Sequence, residues 1–118
     1  MNAYTSFDET VYYITIPSDQ AQLALRILSD MMFFAKFTTQ SLEKELEVIM
    51  EEFRRGKDNP QSLLFESLFS QAYSQHPYRH PIIGYQPTIQ AITLKEIEDF
   101  YRDWYHPENM TLVCVGDF

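Results

Sequence analysis

Two glutamates seven residues apart carry the main hint of chemistry in this chain. They belong to Leu42-Glu43-Lys44-Glu45-Leu46-Glu47-Val48-Ile49-Met50-Glu51-Glu52-Phe53. At about 100° per residue of an α-helix, Leu42, Leu46, Ile49 and Phe53 form a narrow apolar stripe. Val48 lies about 120° to one side of that stripe. Glu43, Lys44, Glu47, Glu51, Arg54 and Arg55 spread over the opposite, polar side. Glu45 and Glu52 fall between the stripe and Val48, nearly eclipsed. A carboxylate in an apolar sector costs free energy unless it is paired. A metal ion, an imidazolium or a guanidinium would supply the pair. The plainer reading places both glutamates at the edge of the buried stripe, reaching solvent by their methylenes. The pattern alone favours the plainer reading, because such spacing arises easily in a Glu-rich helix.

Other candidate chemistries fail on their residues. His76 and His80 are four apart, the spacing of a helical zinc pair. Such a pair needs an intervening glutamate as general base. Pro77, Tyr78 and Arg79 stand there instead, and the proline opposes a helix. The expectation is a loop in which Tyr78 packs down and the histidines stay solvated. His106, before Pro107, reads as a helix C-terminal cap favoured by the helix dipole. Cys114 lies in an apolar run and reads as an inert core thiol. Gly56-Lys57 lacks the glycine loop and hydroxyl of a phosphate-binding loop, and no serine sits in a nucleophile elbow.

The elements that position these residues follow from periodicity. Residues 10–16 are β-branched or aromatic and predict a strand, stopped by Pro17. Ser18 is a good N-cap for a helix running to about Phe34. A second helix follows Thr38-Thr39 and ends near Lys57. Asn59 caps a third, with Pro60 at its first position, running to about Ser74. Gly84 and Pro87 keep the next stretch irregular, with a short helical turn at residues 88–92. Thr93-Leu94-Lys95-Glu96 reads as a capping box opening a fourth long helix, with Leu94, Ile97, Tyr101 and Trp104 on one face. Residues 110–116 predict a final strand. The fold class is therefore α+β: an antiparallel or mixed sheet, its end strands paired, covered by about four helices.

Composition narrows the function classes. The chain has 118 residues, enough for one domain, with 45% hydrophobic and 15% aromatic residues. That aromatic content excludes intrinsic disorder. With 17 acidic against 9 basic residues, the net charge is −8. No basic stripe exists for nucleic acid, and the acidity opposes binding to an anionic membrane surface. The longest apolar runs fall far short of the roughly 20 residues of a membrane span. Met1-Asn2-Ala3-Tyr4 lacks the basic region and apolar core of a signal peptide. Compartment stays open.

Five segments, in order, resemble one family. Asn2-Ala3-Tyr4-Thr5-Ser6, with Thr10 and Tyr12, resembles an N-A-x-T-S…T-x-Y stretch. Glu45 to Glu52 resembles an E-x-x-x-V/I-x-x-E helix. His76-Pro77-Tyr78, Pro81 and Gly84 resemble an H-P-Y…P-x-x-G loop. Trp104-Tyr105-His106-Pro107-Glu108-Asn109-Met110 and the run from Val113 to Asp117 resemble W/Y-Y-x-P-x-N-M and V-x-V-G-D. The family is the pitrilysin/insulinase group of zinc metallopeptidases (inverzincins), which includes the mitochondrial processing peptidases.

The resemblance implies an α+β processing-peptidase-like half and a zinc endopeptidase that cuts peptides with metal-activated water. In that family two histidines of an H-x-x-E-H helix and one downstream glutamate hold zinc, and the glutamate within the motif is the general base. Glu52 matches the downstream ligand. Glu45 matches the acidic residue that supports a zinc-binding histidine. Asn2, Ala3 and Tyr4 match the edge strand that receives peptide substrate by β-augmentation. H-x-x-E-H does not occur in these 118 residues. The expectation is an internal fragment of a longer peptidase: one partial domain over residues 1–118, the later part of an N-terminal catalytic domain. Such a fragment should be inactive alone, retain no zinc, and self-associate through exposed apolar surface. In the parent its partners should be the peptide and a second homologous half or subunit. The alternative is a non-catalytic structural or partner subunit of the same fold.

Overall fold

In the computed structural model, which describes residues 1–117, the two strands and five α-helices are spread over two compact units. One unit holds Met1–Phe37 with the residues from Lys95 onward; the other holds Thr38–Leu94. The α+β class expected from the sequence is what is observed.

In the first unit, β1 (Asn2–Thr5) and β2 (Thr10–Tyr13) form an antiparallel two-stranded sheet. Its register pairs Asn2 with Tyr13, Ala3 with Tyr12, Tyr4 with Val11 and Thr5 with Thr10. The connecting turn closes through the Ser6 amide donating to the Glu9 carbonyl at 2.8 Å. The second strand is shorter than its β-forming sequence, because the ladder stops where β1 runs out. A 3₁₀ turn at Ser18–Gln20 precedes α1 (Ala21–Phe33). Ser18 therefore opens that turn and makes no capping hydrogen bond for α1, contrary to expectation. The last helix of this unit, α5 (Leu94–Trp104), starts at the residue the sequence indicated.

The second unit contains α2 (Thr39–Asp58), α3 (Pro60–Ala72) and α4 (Gln86–Ala91). Thr38 and Ser41 form a reciprocal capping box at the start of α2. Asn59 Oδ1 accepts from the Gln61 and Ser62 amides at the start of α3, and Pro60 occupies the first helical position. This helix ends two residues before the expected Ser74. Between α3 and α4, Gly84 adopts φ +84° and its amide donates to the Pro81 carbonyl at 2.9 Å. That positive φ suits glycine alone at no steric cost. It explains the P-x-x-G spacing: the glycine closes the turn that leads into α4.

The C-terminal strand expected at residues 110–116 is absent. Leu112, Val113 and Val115 are 67%, 74% and 93% exposed. A strand forms only when a neighbour satisfies its backbone groups, and this run has no ladder partner among the described residues. Cys114 is accordingly exposed, not a core thiol. Among the described residues the buried apolar set is small: Ala24, Met50 and Ile89.

Candidate peptidase site

The helix α2 carries both candidate carboxylates. Leu42, Leu46, Ile49 and Phe53 are half-buried, and Met50 is 8% exposed. Burial thus extends from the stripe toward Met50, away from the glutamates. Glu45 and Glu52 are exposed, and Val48 between them is 51% exposed. Three of the four cations of this helix, all but Lys44, are committed elsewhere. Arg54 and Arg55 reach Glu51 at 3.4 and 3.6 Å, and Lys57 reaches Glu66 at 2.7 Å. Among the described residues, neither Glu45 nor Glu52 has an ion pair. The two carboxylates and Val48 therefore share an open sector, as in the plainer sequence reading.

The histidines do not join them. His76 Nδ1 accepts from the Tyr78 amide at 3.3 Å and caps a 3₁₀ turn at Pro77–Arg79. Tyr78 is half-buried against Tyr73 and His76, while His76 and His80 are exposed. His80 Nδ1 lies 2.9 Å from the Tyr85 hydroxyl. His106 does not cap α5: its Nδ1 lies 3.0 Å from Glu108 Oε2, and Asn109 Nδ2 donates to the Trp104 carbonyl instead. The Glu108 carboxyl is held below the usual range, first by its own backbone amide and then by His106. Among the described residues, no three His, Cys, Asp or Glu side chains gather to hold a metal ion. A structural zinc site takes about four such donors, more than gather anywhere among the described residues.

Asn2, Ala3 and Tyr4 lie in β1, in an exposed hairpin. Among the described residues the sheet has two strands, so β1 pairs with β2 on one side alone. Behind the hairpin is a cluster of phenols, of which helical periodicity singled out Tyr101 alone. The Tyr12 and Tyr105 hydroxyls are 2.7 Å apart. Tyr101 donates to the Met32 carbonyl at 2.6 Å and accepts from the Ala35 amide at 3.4 Å. Burial, and then the Tyr12 hydroxyl, push the Tyr105 phenol well above its ordinary pKa. Both Tyr12 and Tyr105 fall in segments that carried the family resemblance, which was the available signal.

A cleft of about 380 Å³ lies within the second unit, lined in part by Phe53, Lys57, Glu66, Arg79 and Tyr85. Its Lys57 and Glu66 already neutralise each other.

Comparison with known proteins settles the family. Residues 1–86 match the family described as Insulinase (Peptidase family M16). The chain belongs to the insulinase family. Residues 91–118 of this insulinase-family chain match a second description, the peptidase M16 inactive domain. The boundary between the two descriptions differs from the two structural units. Among relatives, an uncharacterized zinc protease of Rickettsia felis is 32% identical over 116 residues, 98% of this chain and 28% of that protein. The probable zinc protease PqqL of Escherichia coli is 36% identical over 121 residues, 99% of this chain and 13% of the relative. The zinc protease PqqE of Helicobacter pylori is 35% identical over 117 residues, 98% and 26% of the two chains. The insulinase-family chain thus spans well under a third of each of these relatives. Among its described residues, no helix is long and apolar enough to cross a membrane.

Proposed function

We propose that this chain forms part of a zinc-dependent endopeptidase, and that Glu52 supplies one metal ligand while Glu45 supports a ligating histidine. The observation that carries the reading is the open sector of α2. In a chain of this family, two carboxylates one heptad apart face outward without a counter-ion among the described residues. A metal ligand must be accessible, and both carboxylates are exposed. The peptide substrate lies along β1 at Asn2, Ala3 and Tyr4, adding a strand to its free side. The remaining ligands and the general base come from other parts of the parent protein, as does a second homologous half that encloses the peptide. The 118-residue chain alone is inactive, binds zinc weakly and self-associates.

Glu52→Gln in the full-length protein tests the ligand role. Zinc content by elemental analysis should fall to a small fraction of wild type while the protein stays folded. Zinc retained at the wild-type level overturns the assignment. A second reading, a non-catalytic subunit of the same fold, draws on the match of residues 91–118 to an inactive domain. That reading expects little zinc in the wild-type protein and no change on substitution.

A further inference from the structure

We propose that Tyr105 is a positioning residue for peptide binding: its hydroxyl, bonded to that of Tyr12, holds the β1–β2 hairpin in the pose that receives substrate. The inference rests on the reading of β1 as the substrate strand. A two-stranded hairpin alone is marginal in water, so its pose depends on the few side chains that tether it. Tyr12 is one such tether, through its hydroxyl bond to Tyr105. It stands directly opposite Ala3 in the register, so a shift of Tyr12 carries the middle of β1 with it.

Its partner is well anchored. Tyr105 follows α5 immediately, and its amide donates to the Tyr101 carbonyl at 2.9 Å. The rings of Tyr101 and Tyr105 lie 5.1 Å apart. Tyr101 in turn is fixed to the end of α1 by its hydrogen bond to the Met32 carbonyl, and its ring meets Phe37 edge-on at 5.2 Å. The order is therefore α1, Tyr101, Tyr105, Tyr12, Ala3. Ring packing alone does not need two hydroxyls 2.7 Å apart and 93 residues distant in sequence. The rings of Tyr12 and Tyr105 meet at 67° with centroids 6.3 Å apart, a loose edge contact that leaves the hydroxyl pair to set direction.

The test uses the full-length protein and a peptide substrate cut by the wild type. Tyr105→Phe and Tyr12→Phe keep both rings and delete one hydroxyl each. Each should raise KM about three- to tenfold with kcat unchanged, the pattern of lost ground-state binding. The double variant should cost no more than either single one, because each deletion already breaks the same bond. Amide exchange at residues 2–5 should quicken in all three. Additive effects, or an unchanged KM alongside a lower melting temperature, overturn the proposal and leave the pair a structural tie. A peptide carrying a photoreactive group separates the two readings. Crosslinks outside residues 2–5 in the wild type overturn the β1 reading, and this inference with it. Crosslinks within residues 2–5 together with an unchanged KM in the variants overturn this inference alone.

Discussion

The Tyr105 phenol loses water by burial and gains the Tyr12 hydroxyl, and both changes favour its protonated form. An ordinary tyrosine ionises near pH 10 in the unfolded chain. Its pKa is raised by folding, so its contribution to stability is complete below about pH 10 and is lost as pH rises toward the native value. The chain has 8 Tyr. In a spectrophotometric titration, Tyr105 should give a late ionisation step at high pH that is absent in denaturant. Tyr105→Phe should remove that late step. A single smooth transition for all the tyrosines of the wild type counts against the buried phenol pair. At Asp99 the sign is opposite: hydrogen bonds from Lys95 and then Arg102 lower its pKa. Stability from that contact is present above the unfolded pKa and disappears as pH falls through the native one. The ions are exposed, so salt screens them.

Helices α2 and α3 were legible because each has local punctuation that no tertiary contact overrides. Thr38 and Ser41 close the start of α2, and Asn59 with Pro60 starts α3. Asn59→Ala should therefore destabilise the protein by about 1 kcal/mol, since two amides lose one acceptor. Asn59→Asp should restore most of it, because the carboxylate accepts the same bonds and suits the helix dipole. Equal melting midpoints for Asn59→Ala and wild type would show that water replaces the cap at no cost. The strand elements were less legible, for a physical reason. Residues 110–116 have the β-branched sequence of a strand, but strand formation is a property of pairs, and the partner does not lie in the same local window. The carboxylate pair on α2 shows the same limit. The wheel angle of Glu45 and Glu52 was readable, yet which flank of the apolar stripe is buried was decided by Met50. Met50 is itself apolar and flanks Leu46 on the wheel, so that side carried a signal which the four-residue stripe left out. The Tyr12–Tyr105 bond was least visible, being a contact between residues far apart whose types suit a core equally well.

Among the described residues the buried apolar set of Ala24, Met50 and Ile89 is small beside the apolar surface left open. On α3, Leu64 and Leu68 are 71% and 59% exposed, and on α5 Phe100 and Trp104 are each 56% exposed. Soluble monomers seldom leave contiguous apolar patches this rich in large side chains uncovered. The run through Leu112, Val113 and Val115 has no ladder partner among the described residues, and such backbone templates further strand pairing. Relatives of which this chain covers 28% or less have ample further residues to bury it. The 118 residues in isolation should therefore associate. Light scattering should give a mass that rises with concentration, and an apolar dye should fluoresce strongly in their presence. Two lysines in place of Leu64 and Leu68 should lower both signals without reducing helix content, because neither side chain is buried. A concentration-independent monomer with no dye binding would mean that the chain closes its own surface, and with it would fall the view that α3 and the C-terminal run are faces for the rest of the parent protein.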